Sequence, residues 1–188
     1  MDIKGIKTQV ELYCLFKKIL AENPSFAEIT YSKVELEYRV KPSRRRADLV
    51  LFFREQSKEE KPFLAIETKR SKLKKNQTSN DWDKVIFVPD ARGHLVKSTV
   101  REYIGEIYES DHGYEYFKAA LQQARGYAEG LSAPSFAVCY PEMLFVKSFV
   151  KGLHSYYPSV YFKEEFGSKL LEDLAKLYKR SKDAQYKE

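Results

Sequence analysis

Hydrophobic and polar positions change period several times along this chain, and each change marks an element. Over residues 8–21, Leu12, Leu15, Phe16, Ile19 and Leu20 recur at three- and four-residue steps, which predicts an amphipathic helix with one apolar stripe. Val34, Leu36, Tyr38 and Val40 then alternate with Glu35, Glu37 and Arg39, the two-residue period of a half-exposed strand, and Pro42 ends it. Residues 47–53 and 62–66 are short, almost continuous apolar runs joined by the charged stretch 54–61. Runs of that length suit strands covered on both faces, and the solvated link between them predicts a hairpin.

The second half repeats the alternation of helix and strand. Within residues 113–130, Phe117, Ala120, Leu121, Ala124, Tyr127 and Ala128 form the buried face of a helix, and its alanines predict close packing on a sheet. Residues 135–140 read as a strand, Pro141 and Glu142 as a turn, and residues 143–150 as an edge strand. Phe166, Leu170, Leu174, Leu177 and Tyr178 mark a closing amphipathic helix, after which residues 181–188 lack an apolar pattern and are expected to fray. Residues 76–112 interrupt the order as a structured insertion. There residues 85–88 predict a strand, residues 89–93 a turn, and Val100, Tyr103, Ile104, Ile107 and Tyr108 a helix capped by Ser98 or Thr99. The insertion could shape access, recognise nucleic acid, mediate a dimer or simply pack on the core. Trp82, between Asp81 and Asp83, reads as a packing anchor or a base-stacking platform.

The chemistry sits at the ends of the central hairpin. Asp48 lies at the start of the first apolar run, and Glu67 and Lys69 lie at the end of the second, two apart and therefore on one side of a strand. Charges placed there are costly to bury unless they are paired or bound to metal. Two carboxylates and an ammonium are sufficient to hold a divalent cation and a water beside a phosphodiester. Lys69 could orient or deprotonate the water or stabilise charge on phosphate. Glu11 flanks the stripe of the first helix, as a site residue or as a surface glutamate favoured by the helix dipole. Gln123 flanks the stripe of the second helix while Gln122 points to solvent; a flanking glutamine is a polar boundary residue or a group that holds a water or a carboxylate.

Net charge is +6, and its distribution matters more than its total. Lys41, Arg44, Arg45 and Arg46 precede Asp48, and Lys69, Arg70, Lys72, Lys74 and Lys75 follow Glu67. Cations on both sides of the acidic pair are what a phosphate-binding groove requires, although a solvated lysine-rich loop would give the same run.

The pattern D-x(18)-E-x-K between apolar strands resembles the PD-(D/E)xK nuclease superfamily, and most of all the N-terminal nuclease domain of type I restriction enzymes. Leu-Gln-Gln-Ala-Arg-Gly-Tyr-Ala is similar to the Q-x-x-x-Y-A helix of that group, placing Gln123 and Tyr127 in it, and the strand-like Ser-Phe-Ala-Val-Cys-Tyr follows as an αβββαβ core expects. The resemblance covers residues 5–75 and 113–150; Ala47 stands where the name-giving proline would, and the insertion at 76–112 is a larger departure. It implies a restriction-endonuclease-like α/β fold with a central mixed sheet flanked by helices, and Mg²⁺-dependent hydrolysis of DNA in restriction, defence or repair. Asp48, Glu67, the Thr68 carbonyl and Glu11 would hold Mg²⁺, with Mn²⁺ able to substitute, and Lys69 and Gln123 would complete the catalytic set. Arg44, Arg45, Arg46, Arg70, Lys72, Lys74 and Lys75 would bind nucleic acid. Stand-alone domains of this kind dimerise or join a helicase-type partner. A catalytically inactive nuclease-fold module that binds nucleic acid or a partner protein is the alternative.

Composition adds bounds. A chain of 188 residues with 43% hydrophobic and 32% charged residues suits one domain with a substantial core. No run is long enough to span a bilayer and the first residues do not form a signal peptide, so a cytoplasmic location is expected. Cys14 and Cys139 stand apart from each other, and His94, His112 and His154 lack metal-ligand spacing, so neither a disulfide framework nor a thiolate metal site is expected. No glycine-rich phosphate loop is present, so the chain carries no nucleotide-hydrolysing motor.

Overall fold

In the structure, a computed structural model, residues 3–26, 28–42, 45–55, 59–69, 85–89, 95–99, 115–141 and 143–185 are described. Helix α1 (Ile3–Glu22) leads into strands β1 (Ser25–Phe26), β2 (Ile29–Arg39), β3 (Arg46–Glu55) and β4 (Lys61–Thr68). A separate two-stranded ribbon, β5 (Val85–Pro89) and β6 (Leu95–Thr99), precedes helix α2 (Glu115–Leu131). Strands β7 (Ser135–Tyr140), β8 (Met143–Ser148) and β9 (His154–Pro158), a 3-10 turn (Ser159–Phe162) and helix α3 (Glu164–Gln185) complete the chain.

Seven strands form one mixed sheet in the order β1-β2-β3-β4-β7-β8-β9. Neighbours are antiparallel except β4 and β7, which run parallel because the chain passes through α2 between them. The hairpin expected at residues 47–66 is the β3–β4 pair, with Leu49 opposite Ile66. The runs are continuous in hydrophobicity because both faces of the sheet are covered. On one face Leu12, Phe16 and Ile19 of α1 and Leu170, Leu171 and Leu174 of α3 meet Leu49, Leu51, Leu64 and Ile66. On the other face Phe117, Ala120, Ala124, Tyr127 and Ala128 of α2 meet Val50, Phe52, Ala65 and Val138. Each fully buried large side chain contributes roughly 1.5–3 kcal/mol to holding the layers together. Tyr31 packs edge to face on Phe63, and Phe63, Phe53 and Tyr178 pack on one another, with centroids 5.1–5.4 Å apart, and the Tyr31 hydroxyl donates to the Leu171 carbonyl at 2.9 Å. This cluster ties β2 to α3.

Two expectations change. Residues 143–148 form an interior strand, because β9 pairs with β8 from Lys147–His154 to Met143–Pro158 and takes the edge. The closing helix does not stop before residue 181 but runs to Gln185: Ser181 is buried, its hydroxyl donates to the Tyr178 carbonyl at 2.8 Å, and Lys182 pairs with Glu55 of β3. Polar side chains anchor this last turn, so an apolar count misses it. Within the insertion, the strand expected at 85–88 is β5; the helix at 100–108, Trp82, His94 and His112 lie outside the described residues. Among the described residues no helix is long and apolar enough to cross a membrane.

Candidate functional site

Three acidic residues stand in one row across three strands. Asp48 and Glu67 each lie one residue beyond the Leu49–Ile66 pair of β3 and β4. Glu37 of β2 is bracketed by the pairs Leu36–Leu49 and Tyr38–Ala47, which sets it opposite Asp48. Glu37 has φ 51°, a left-handed backbone that costs a non-glycine residue free energy and marks a place held by its surroundings. Val34 packs under α1 and α3 whereas Tyr38 and Val40 pack under α2. Strict alternation would put all three on one face, so β2 changes face near Glu37.

Asp48 is fixed by its neighbour on β4. Its Oδ2 accepts the backbone N–H of Thr68 at 2.7 Å and the Thr68 hydroxyl at 2.8 Å, and Oδ1 accepts no hydrogen bond among the described residues. Burial pushes the Asp48 carboxyl above its usual range against the pull of both Thr68 bonds, and the Glu37 charge adds to the rise. Glu67 is buried and its Oε1 accepts the Lys69 ammonium at 2.5 Å. Burial, reinforced by the Asp48 charge, pushes the Glu67 carboxyl up to about 7 although Lys69 opposes it. The other oxygen, Oε2, is buried with no hydrogen-bond partner. A buried carboxylate oxygen without a donor carries a desolvation cost that no hydrogen bond offsets.

Helix α2 supplies the opposite wall. Gln123 donates its Nε2 to the Tyr127 hydroxyl at 2.5 Å, one turn along the helix. Burial raises the Tyr127 hydroxyl, and the charges of Glu67, Asp48 and Arg45 all reach it. Gln123 is half-buried on the flank of α2, and its partner Tyr127 is a core residue.

The expected site residues divide into three groups. Asp48, Glu67, Thr68 and Lys69 converge, with Gln123 and Arg45 around them. Glu11 does not join: its carboxylate pairs with Lys7 at 3.6 Å on the outside of α1 and lines a shallow groove with Lys18, Pro141 and Lys163. Among the described residues no three histidine, cysteine, aspartate or glutamate side chains form a cation cage. Arg46 is exposed at the start of β3; Arg44, Arg70, Lys72, Lys74 and Lys75 lie outside the described residues.

Gln9 was missed. It is buried, and its Nε2 donates at 2.9 Å both to Glu37 Oε1 and to the Asp48 carbonyl, tying α1 to the acidic row. Its signal is its register: residues 9, 12, 16 and 19 share one helix face, so a polar side chain interrupts an apolar stripe.

The fold and site together define a mixed α/β protein with one buried carboxylate, one half-buried carboxylate and a lysine at one end of its sheet. No protein-family model matches the chain, and no curated protein and no solved structure matches it either.

Proposed function

We propose that the protein is a metal-dependent nuclease of restriction-endonuclease-like fold that hydrolyses phosphodiester bonds of DNA. The observation that carries this reading is Glu67 Oε2, an unpartnered buried oxygen next to Asp48 and to an ammonium. The order α1-β2-β3-β4-α2-β7 supports the αβββαβ core that the motif resemblance implies.

The residues present fit a divalent cation. Asp48, Glu67 and the Thr68 carbonyl would hold Mg²⁺, with Mn²⁺ as a substitute, and a hard cation with few protein ligands suits a site that shares its coordination with water and phosphate. Bound there, the ion would supply charge that stabilises the phosphate and promotes ionisation of a water. Lys69, pinned against Glu67, would orient the attacking water and neutralise developing charge on the phosphate oxygens. Thr68 holds Asp48 in place through two bonds. Gln123 and Tyr127 would bound the cleft on the α2 side, and Arg45 and Arg46 would meet the backbone of the nucleic acid. A homodimer would place two such sites for a double-strand cut, a lone protomer would nick, and a helicase-type partner would deliver the strand.

The alternative is a nuclease-fold module that binds without cutting. Its support is that among the described residues the row of Glu37, Asp48 and Glu67 does not close into a three-ligand cation cage. Labelled DNA and RNA substrates incubated with Mg²⁺ or Mn²⁺, against EDTA and the Lys69→Ala protein, separate the two. Metal-dependent cleavage lost in Lys69→Ala is the expected outcome; binding without cleavage under either metal would establish the inactive module.

A further inference from the structure

The mixed sheet has two ends of different character. One ends in β1, a strand of two residues, too short to template another chain. The other ends in β9, five residues long and paired on one side only among the described residues. A groove of about 740 Å³ runs beside β9 and is walled on its far side by α3. Residues 154–157 all line it, one after another. Side chains of a strand alternate between faces, so four consecutive residues share a groove when the groove follows the strand's edge rather than one of its faces. The opposite wall is a single stripe of α3, Asp173, Lys176, Lys179 and Arg180, which brings three cations and one anion over the edge.

These cations are weakly committed within the protein. Lys176 pairs with Glu172 at 2.6 Å and Lys179 with Glu28 at 3.0 Å, both between partly exposed side chains in contact with water, and pairs of that kind contribute little. Arg180 is exposed and forms no ion pair among the described residues. Asp173 is occupied by Lys169 at 3.4 Å.

We infer that the β9–α3 groove is a peptide-binding site, in which an extended acidic segment of a partner protein adds to β9 as an eighth strand. The edge of a strand offers alternating backbone donors and acceptors at the spacing of another main chain, which a phosphodiester backbone does not match. A helix overhanging the edge supplies the second wall, and its cations select glutamate and aspartate on the incoming strand. Tyr156 and Tyr157, buried in the cores on opposite faces of the sheet, hold β9 in place and leave its main-chain edge to the groove. Main-chain pairing then gives affinity and the α3 stripe gives selectivity. The site stands independently of the carboxylates on β3 and β4, so it serves to recruit the protein to a partner whether or not those carboxylates cut nucleic acid.

The test is selection of a random decapeptide display library on the purified full chain, followed by titration of the enriched peptides. Enriched sequences are expected to alternate glutamate or aspartate with valine, isoleucine or threonine. Their affinity should fall at least tenfold for Lys176→Glu/Arg180→Glu and for peptides methylated on alternate backbone nitrogens, with amide shifts at residues 154–157 on binding. Both substituted side chains are exposed or rim the groove, so the double variant should keep its melting temperature, and Lys176→Glu alone serves if it does not. Absence of enrichment, enrichment indifferent to the charge reversal, or shifts at 154–157 produced by a thymidine oligonucleotide and not by the peptides would each overturn the proposal.

Discussion

Asp48 and Thr68 are joined twice through one oxygen: Oδ2 accepts both the backbone N–H and the hydroxyl of Thr68, at 2.7 and 2.8 Å. This doubles up the donors on one oxygen of the carboxylate. Thr68→Val keeps the shape and the N–H bond but removes the hydroxyl. Loss of one hydrogen bond to a charged acceptor costs about 1.5–3 kcal/mol of stability. With Asp48 free to turn, divalent-cation affinity should fall by about tenfold, a figure on the scale seen when an outer-shell partner of a metal ligand is lost. Thr68→Ser should restore both. Calorimetric titration of Mn²⁺ and thermal melts of the two variants check this, and unchanged affinity in Thr68→Val would show that Thr68 does not position Asp48.

Glu67 makes the metal-free protein sensitive to pH. Its carboxyl is held at about 7 in the folded chain against an ordinary value of 4.5. A group that binds its proton more tightly when folded favours the folded state at low pH, and this advantage is lost as pH rises from the unfolded to the folded value. In EDTA, stability should therefore decline between about pH 4.5 and 7 and level off above it. At about 1.4 kcal/mol per pH unit of separation the decline amounts to roughly 3 kcal/mol. Glu67→Gln should remove much of the slope and be more stable than the unsubstituted chain at pH 8, while losing cation binding. Urea titrations in EDTA across this range measure it; a stability that rises with pH there would contradict a raised Glu67.

Lys69 is the cation that opposes this rise. Lys69→Ala leaves Glu67 buried beside Asp48 with no ammonium, so the pH window of the preceding experiment should move upward. Cleavage should drop by at least about a hundredfold, the lower end of what a positioned charge or donor contributes, while far-ultraviolet circular dichroism at pH 6 stays unchanged. A variant that keeps full cleavage would remove Lys69 from the chemistry, and an unmoved window would mean that its contact with Glu67 has no weight in solution.

Much of this site was legible because Asp48, Glu67 and Lys69 stand where apolar runs end, and a period of two fixes their common side. Gln123 was legible for the parallel reason on a helix: it flanks the stripe containing Ala120, Ala124 and Tyr127. Glu37 was not, since in Val34 to Val40 it occupies an ordinary outward position and nothing in a linear pattern announces a left-handed backbone. Nor was Gln9, whose two partners lie 28 and 39 residues away. The edge strand β9 escaped because His-Ser-Tyr-Tyr-Pro is short and lacks an aliphatic run; its pairing with β8 decides its form.

Gly167 tests how the helix layer controls the site. A Cβ there would lie 2.2 Å from Ile19 Cδ1 and 2.9 Å from Leu15 Cδ1, distances no carbon pair sustains. Both α1 side chains are buried in the core beneath the sheet, so they cannot swing aside without opening a void, and α1 must shift away from α3. Gly167→Ala should therefore destabilise the protein by about 1–3 kcal/mol despite alanine's better helix propensity, lowering the melting temperature by roughly 2–4 °C per kcal/mol. Ile19→Val removes the nearer carbon and should recover part of the loss in the double variant, which a cavity or backbone effect would not do. The same shift moves Gln9, which α1 presents to Glu37 and the Asp48 carbonyl. Cation affinity should thus weaken in Gly167→Ala and return with Ile19→Val. Stability and affinity recovering together would show that α1 transmits packing to the acidic row; stability recovering alone would confine Gly167 to the core.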